Sequence, residues 1–168
     1  MKLTDILREV LNENIYTPKE LGQFIYHQTN YNNAISILKS GFKSGYDLDK
    51  GERNSGIFFS PTDKGQEGVV YNRGDSNKRV LVEISTSGLQ LFDTLDLPIN
   101  PDLLSFQQQW YKVVRDAKEK NIFPTGYDGI INRSQHSGGI YEIILKVEIA
   151  NDNITGKIKN LRGKYIDI

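Results

Sequence analysis

Residues 23–41 read QFIYHQTNYNNAISILKSG, a strand pattern followed directly by a helix pattern. Residues 23–28 are rich in aromatic and β-branched side chains, which favours a strand. Asn30 then provides the N-cap of a helix that runs to about Ser40, and Gly41 follows as the C-cap glycine. We therefore expect a β-strand whose end meets a helix N-terminus.

Further strands and helices are indicated around this unit. The helix after Asn30 has Tyr31, Ile35 and Leu38 on one face. Strands are predicted over residues 56–59, 79–84, 128–132 and 140–149, helices over 61–71 and 100–120, and a polar loop over 44–55. Residues 151–168 are polar and basic and are expected to add an edge strand. Short strands, a long helix and further strands predict a compact α+β domain.

The composition restricts the class of protein. The chain has 168 residues, about one domain, with 21 basic and 21 acidic side chains and a formal net charge of zero. This neutrality argues against binding nucleic acid mainly through bulk charge, although it leaves room for a local basic patch. Cysteine is absent, which excludes a disulfide scaffold and a cysteine nucleophile. Two histidines, His27 and His136, are too few for a His-rich metal site, so no metal is predicted.

The first residues predict an amphipathic helix over 2–14. We expect its apolar face to pack on the body of the domain, because a short helix is marginal alone; docking of a partner is the alternative. The segment has no continuous apolar region typical of a signal peptide, and no stretch of the chain approaches the length of a membrane span. We expect a cytoplasmic protein without a membrane partner, divided into a helical segment, 1–22, and a main domain, 23–168.

Three short segments contain side chains suited to chemistry. His27 ends the first strand, Ser60 follows the apolar strand 56–59, and Glu142 begins another apolar strand. Taken singly, a lone histidine is usually structural, and a strand glutamate usually faces solvent. Each signal is weak alone, but their order along the chain and their surroundings together are informative.

The order of these segments resembles the ADP-ribosyltransferase superfamily, in the histidine–tyrosine–glutamate branch that includes diphtheria toxin and the poly(ADP-ribose) polymerases. Residues 26–42, YHQTNYNNAISILKSGF, closely resemble its first motif, and residues 56–60, GIFFS, are similar to its second. Residues 141–145, YEIIL, look like the strand of the catalytic glutamate. Residues 126–131, GYDGII, look like the penultimate strand of phage-encoded members. The resemblance spans roughly residues 24–150 and implies a split mixed β-sheet with flanking helices and a cleft for NAD.

The resemblance implies two catalytic residues, Glu142 and His27. Glu142 would accept a hydrogen bond from the 2′-hydroxyl of the nicotinamide ribose, and His27 would bond the adenosine ribose. Cleavage of the nicotinamide–ribose bond develops an oxocarbenium ion, as in glycoside hydrolysis. A carboxylate at that sugar stabilises this cation more than it stabilises the ground state.

The resemblance also implies how NAD binds. The backbone of Gln28 would clamp the nicotinamide amide, Thr29 would assist His27, and Tyr71 would stack on the nicotinamide ring. Gln28 stands where the family usually has glycine, and Phe58 where it usually has tyrosine. The implied binding set is His27, Gln28, Thr29, Phe58, Ser60 and Tyr71.

The expected activity is mono-ADP-ribosylation of a macromolecule, with a host protein preferred to nucleic acid as the acceptor and the host cytoplasm as the location if the chain is phage-encoded. An NAD glycohydrolase is one alternative. A catalytically inactive binding module of the same fold is another, because of Gln28 and Phe58. Residues 44–55 and 86–126 are expected to select the target, since loops vary around a fixed cleft. Trp110 is interpreted as a core residue and His136 as a solvated loop residue.

Overall fold

The computed structural model describes residues 20–43, 46–47, 51–52, 55–63, 79–97, 106–134 and 137–168. Within these ranges helices and strands form an α+β fold, as the sequence predicts. The strands are β1 (Phe24–Asn30), β2 (Tyr46–Asp47), β3 (Gly51–Glu52), β4 (Ile57–Phe59), β5 (Arg79–Ser85), β6 (Leu91–Asp93), β7 (Gly129–Arg133), β8 (Ile140–Leu145), β9 (Ile154–Asn160) and β10 (Tyr165–Ile166). The helices are α1 (Tyr31–Ser40), α2 (Phe106–Lys120) and α3 (Val147–Asp152), with a 3-10 turn at Thr94–Asp96.

Two four-stranded sheets form the body of the protein, and β2 and β3 pair separately as a small hairpin. The first sheet has the order β1-β5-β9-β10 and is antiparallel throughout. The second has the order β4-β8-β7-β6 and is mixed, because β6 runs parallel to β7. The sheets meet where Tyr26 and Ser60 exchange two backbone hydrogen bonds of 3.0 and 2.7 Å. This junction brings β1 beside β4.

Each face of the second sheet packs against a different layer. Ile131, Ile143 and Leu145 lie in the main core with residues of the first sheet. The alternate positions Ile130 and Ile144 pack against α2. Because side chains alternate along a strand, the next residues on the α2 side of β7 and β8 are Asn132 and Glu142. The pairing of β7 with β8 therefore places the side chains of Asn132 and Glu142 on the face that packs against α2.

The caps of α1 are those that the sequence predicts. Asn30 accepts a hydrogen bond from the Asn33 N–H at 2.8 Å, and Gly41 adopts a φ of +79°. The predicted apolar face is wrong at one end, because Tyr31 is 37% exposed and Ala34 is the buried residue. The first turn of α1 directly follows the exposed end of β1, so no core covers the Tyr31 ring.

One prediction for the C-terminal third is corrected and another is extended. The strand predicted over 140–149 ends at Leu145, opposite Ile57 and Gly129, which are the first residues of its antiparallel partners β4 and β7, and α3 follows. A strand cannot continue where no neighbour is left to accept its hydrogen bonds. The tail adds the expected edge strand, β10, and also β9, which lies inside the first sheet between β5 and β10.

Several predicted features lie outside the described residues. They are the helix over 2–14, the part of the helix leading to Tyr71 from residue 64 onward, His136, most of the loop over 44–55 and the start of the helix at residue 100. The predicted helix start at residues 61–63 is wrong, because these residues form a turn that the Ser60 hydroxyl closes by bonding the Thr62 N–H and carbonyl. The structure describes the long helix from Phe106 to Lys120. Among the described residues, no helix is both long enough and apolar enough to cross a membrane.

Gly129 allows β7 and β8 to approach closely. A Cβ at this position would overlap the Ile144 carbonyl oxygen and lie 2.7 Å from Leu145 Cδ2. We expect Gly129→Ala to lower the free energy of unfolding by about 1–3 kcal/mol, the usual cost of overpacking. Urea unfolding measures this change. Gly22→Ala is the matched control, because a Cβ there meets nothing within 4 Å, and equal losses in both variants would contradict the explanation.

Candidate functional site

A cavity of about 340 Å³, here called the Glu142 cavity, lies where β1, β4, β8 and α2 come together. The described residues that line it are Tyr26, His27, Gln28, Phe58, Phe59, Ser60, Arg79, Lys118, Tyr141 and Glu142. His27 and Glu142, which lie 115 positions apart in the chain, thus share one hollow. Their proximity is produced by the junction of the two sheets at Tyr26 and Ser60.

Glu142 is a buried carboxylate held from two sides. It is only 4% exposed, and it lies opposite Asn132 in the register of β7 and β8. Asn132 Nδ2 donates a hydrogen bond to Glu142 Oε1 at 2.9 Å. Lys118 Nζ, from α2, lies 2.6 Å from the same oxygen. A charged side chain this deeply buried needs such partners, because desolvation is costly.

Lys118 shows that the cavity accommodates positive charge. Its ammonium lies between the Glu142 carboxylate and the Phe58 ring, 5.2 Å from the ring centroid. A carboxylate and the face of an aromatic ring both attract a cation. The Lys118 side chain is 35% exposed and flexible, so it can withdraw toward solvent when another cation enters.

His27 is fixed as a neutral imidazole. Its Nδ1 donates a hydrogen bond to the Phe58 carbonyl oxygen at 2.8 Å, and its ring packs edge-on against Phe42 and Phe59. Burial lowers the pKa of His27, and the bond to Phe58 offsets this only in part. Because Nδ1 holds the proton, Nε2 is a hydrogen-bond acceptor. An imidazole in this state can receive a hydroxyl donor, such as that of a sugar.

The lowered pKa of His27 predicts a pH dependence of stability. Below about pH 6.5 the unfolded chain binds a proton at this histidine, while the folded chain does so only at lower pH. Stability therefore falls as the pH drops through this window, by at most about 1.4 kcal/mol per pH unit for one group. Urea unfolding from pH 7.5 to 5 should show this slope.

His27→Gln should flatten that part of the profile. His136→Gln is the control, because it removes the other histidine of the chain. An acid dependence that is unchanged in His27→Gln would show that other groups cause it.

The other predicted site residues are distributed unevenly. Gln28, Phe58 and Ser60 line the Glu142 cavity, and Phe58 is 39% exposed. The Ser60 hydroxyl donates to the Thr62 carbonyl at 3.0 Å, so it stabilises the turn after β4. Thr29 is not among the described residues that line the cavity, and Tyr71 lies outside the described part of the chain.

Sequence reasoning did not find three residues of this cavity and its wall: Lys118, Asn132 and Arg79. A signal existed for two of them. Lys118 follows Val114 by four positions on the inward face of α2, where a charged residue needs a partner. Asn132 interrupts an apolar strand at the position that pairs with Glu142. Arg79 begins β5 and gave no comparable signal.

Comparison with family models, with curated proteins and with solved structures gives no match for this chain.

Proposed function

We propose that the protein is an NAD-dependent mono-ADP-ribosyltransferase, which cleaves the nicotinamide–ribose bond of NAD and transfers ADP-ribose to a macromolecule. The observation on which this proposal depends is the Glu142 cavity, in which a buried carboxylate that already holds a cation shares the lining with a histidine of lowered pKa. The motif resemblance of residues 26–42, 56–60 and 141–145 suggests which dinucleotide the cavity would take.

The charge distribution of NAD suits this cavity. The nicotinamide ring of the oxidised dinucleotide is a pyridinium cation. The ammonium of Lys118 occupies a position beside Glu142 and Phe58 that suits such a cation. When nicotinamide leaves, the positive charge moves to the ribose, where the Glu142 carboxylate would stabilise it. The two cationic side chains of the cavity, Arg79 and Lys118, would face the diphosphate. His27 Nε2 would accept a hydrogen bond from a ribose hydroxyl.

The proposed reaction needs no oxidant or reductant. The bond between ribose C1′ and the nicotinamide nitrogen breaks, and its electron pair leaves with nicotinamide, which becomes neutral. A lone pair of the acceptor then forms the new bond to C1′. The acceptor loses a proton, which passes to the Glu142 carboxylate or to water.

The experiment is incubation of the purified full chain with NAD labelled separately in its adenine and nicotinamide parts, with bacterial lysate as the source of acceptors. We expect free labelled nicotinamide and macromolecules that gain the adenine label. Free nicotinamide with adenine label only on free ADP-ribose would identify a glycohydrolase. An absence of nicotinamide release at every NAD concentration tested would contradict the proposal.

A further inference from the structure

A second cavity adjoins the candidate active site. It has a volume of about 450 Å³, within the usual range of ligand sites, and is here called the Trp110 cavity. It shares Lys118 and Tyr141 with the Glu142 cavity. A group bound in the Trp110 cavity would therefore approach the reacting sugar from the side of α2 and β8.

The lining of this cavity combines three aromatic rings with the cations Arg115, Lys118 and Arg133 and with one carboxylate, Glu119. Trp110 and Tyr111 come from α2 and Tyr141 from β8, and both tyrosines are about half-exposed. Arg115 is exposed at the same wall. Stacked planar rings beside basic side chains are typical of sites for the bases and phosphates of single-stranded nucleic acid.

The cationic wall continues beyond the cavity. A groove lined by Gln108, Tyr111, Lys112 and Arg115 shares two of its residues with the Trp110 cavity. The chain as a whole is neutral, yet α2 has four basic and two acidic side chains. Lys118 is paired with Glu142 and Lys120 with Asp116, so the positive charge of this groove comes from Lys112 and Arg115. Cations beside a groove attract a phosphate backbone.

Asn132 adds an unsatisfied acceptor at this place. It lines the Trp110 cavity, is 3% exposed, and donates through Nδ2 to Glu142. Its Oδ1 is buried without a hydrogen-bond partner. A buried polar atom without a partner is costly. Because this oxygen has almost no exposed surface, an N–H group of a base reaches it only when the Asn132 side chain or a neighbour shifts.

We infer that the Trp110 cavity is the acceptor site and that it receives a base of a single-stranded nucleic acid. The transfer step rests on the proposed function. A nitrogen of the base attacks ribose C1′, nicotinamide leaves with the electron pair of the broken bond, and the proton of the base nitrogen passes to Glu142 or water. A duplex is a poor acceptor, because its bases are stacked inside the helix and must be extruded first.

Binding can be tested without catalysis, because Trp110 is the only tryptophan of the chain. The full chain is titrated with a mixed-sequence 12-nucleotide single strand, as DNA and as RNA, and with the duplex of the same sequence. We expect saturable quenching of Trp110 fluorescence by a single strand, and about tenfold weaker binding in Tyr111→Ser. Arg115→Ser should make the slope of log affinity against log salt shallower by about 0.7.

Matched control variants distinguish binding at this site from non-specific binding elsewhere on the protein. Arg162→Ser and Tyr31→Ser replace exposed residues outside both cavities and should bind the single strand as the wild type does. Quenching that is absent, or equally affected in the control variants, would overturn the assignment.

The transfer assay distinguishes failure of this inference from failure of the proposed function. With NAD present, mass spectrometry should find single strands heavier by one ADP-ribose. Nicotinamide release with label only on proteins would overturn the nucleic-acid acceptor and leave the transferase proposal intact. Single-strand binding at Trp110 without any nicotinamide release would support the site and overturn the transferase.

Discussion

Glu142→Gln is expected to reduce nicotinamide release and ADP-ribose transfer by at least roughly 100- to 1000-fold, the range for loss of one group that stabilises developing charge. Glutamine keeps the size of the side chain and an oxygen that can accept from Asn132 and Lys118, so the local structure should persist. What is lost is the negative charge beside the sugar that becomes a cation. The measurement is nicotinamide release at saturating NAD, with urea unfolding to verify folding.

The control for this variant is Glu148→Gln, which removes an exposed carboxylate of the same strand–helix segment. It should be as active as the wild type. The double variant Glu142→Gln/Lys118→Gln tests whether an unpaired ammonium, rather than the missing carboxylate, causes the loss. Activity of Glu142→Gln within about tenfold of the wild type, or recovery in the double variant, would contradict the proposed role.

The sequence predicts local structure well where one short-range rule decides it. Asn30 and Gly41 cap α1 as expected, because capping depends on a few neighbouring atoms. The end of β8 was not predicted, because Val147 and Ile149 continue an apolar strand pattern. Whether a strand continues depends on its neighbours, and β4 and β7 both stop pairing at Leu145.

The same distinction applies to the candidate site. The motifs named His27 and Glu142, which the structure brings into one cavity. Lys118 was not named, because its contact with Glu142 depends on how α2 packs on the second sheet, and helix packing is not visible in a local pattern. The preference for a protein over a nucleic-acid acceptor came from the net charge of the whole chain and stays a prediction; a net charge does not show how charges are distributed on α2. Trp110, interpreted as core, packs against the buried cluster between α2 and the second sheet, but it is only partly buried and also lines a cavity.

Arg133 is expected to be the most sensitive position for stability. Its guanidinium is almost buried and makes a two-pronged pair with Asp93, with Nε–Oδ1 at 2.9 Å and Nη2–Oδ2 at 2.8 Å. Nη1 also bonds Glu20 Oε2 at 2.8 Å and the Gly138 carbonyl at 2.9 Å. The hydrogen bond to Asp93 is the main factor that raises the pKa of Arg133. One side chain thus joins β6, β7, the turn before β8 and the segment before β1.

Arg133→Met should lower the free energy of unfolding by about 3–5 kcal/mol, because it leaves the mostly buried Asp93 carboxylate without the cation that pairs with it. Methionine fills a similar volume, so the loss reports the charge and not a cavity. Urea unfolding at pH 7 measures the change, and Arg162→Met is the matched control for an exposed arginine. Arg133→Lys keeps the charge but cannot form the planar two-pronged pair, so it should fall between these two.

The double variant Arg133→Met/Asp93→Leu decides between two explanations of such a loss. If the unpaired carboxylate is responsible, removing it restores part of the stability, even though the bond from the Leu95 N–H to Asp93 is lost as well. If the guanidinium matters chiefly as a tie to Gly138 and Glu20, the double variant is no more stable than the single one. A loss below about 1 kcal/mol in Arg133→Met, the level of an exposed pair, would contradict both explanations. If the double variant regains stability, nicotinamide release in Arg133→Met should decline only in proportion to the folded fraction. If it does not, release should decline further, because Arg133 adjoins Asn132 and the contact of Asn132 with Glu142 would loosen.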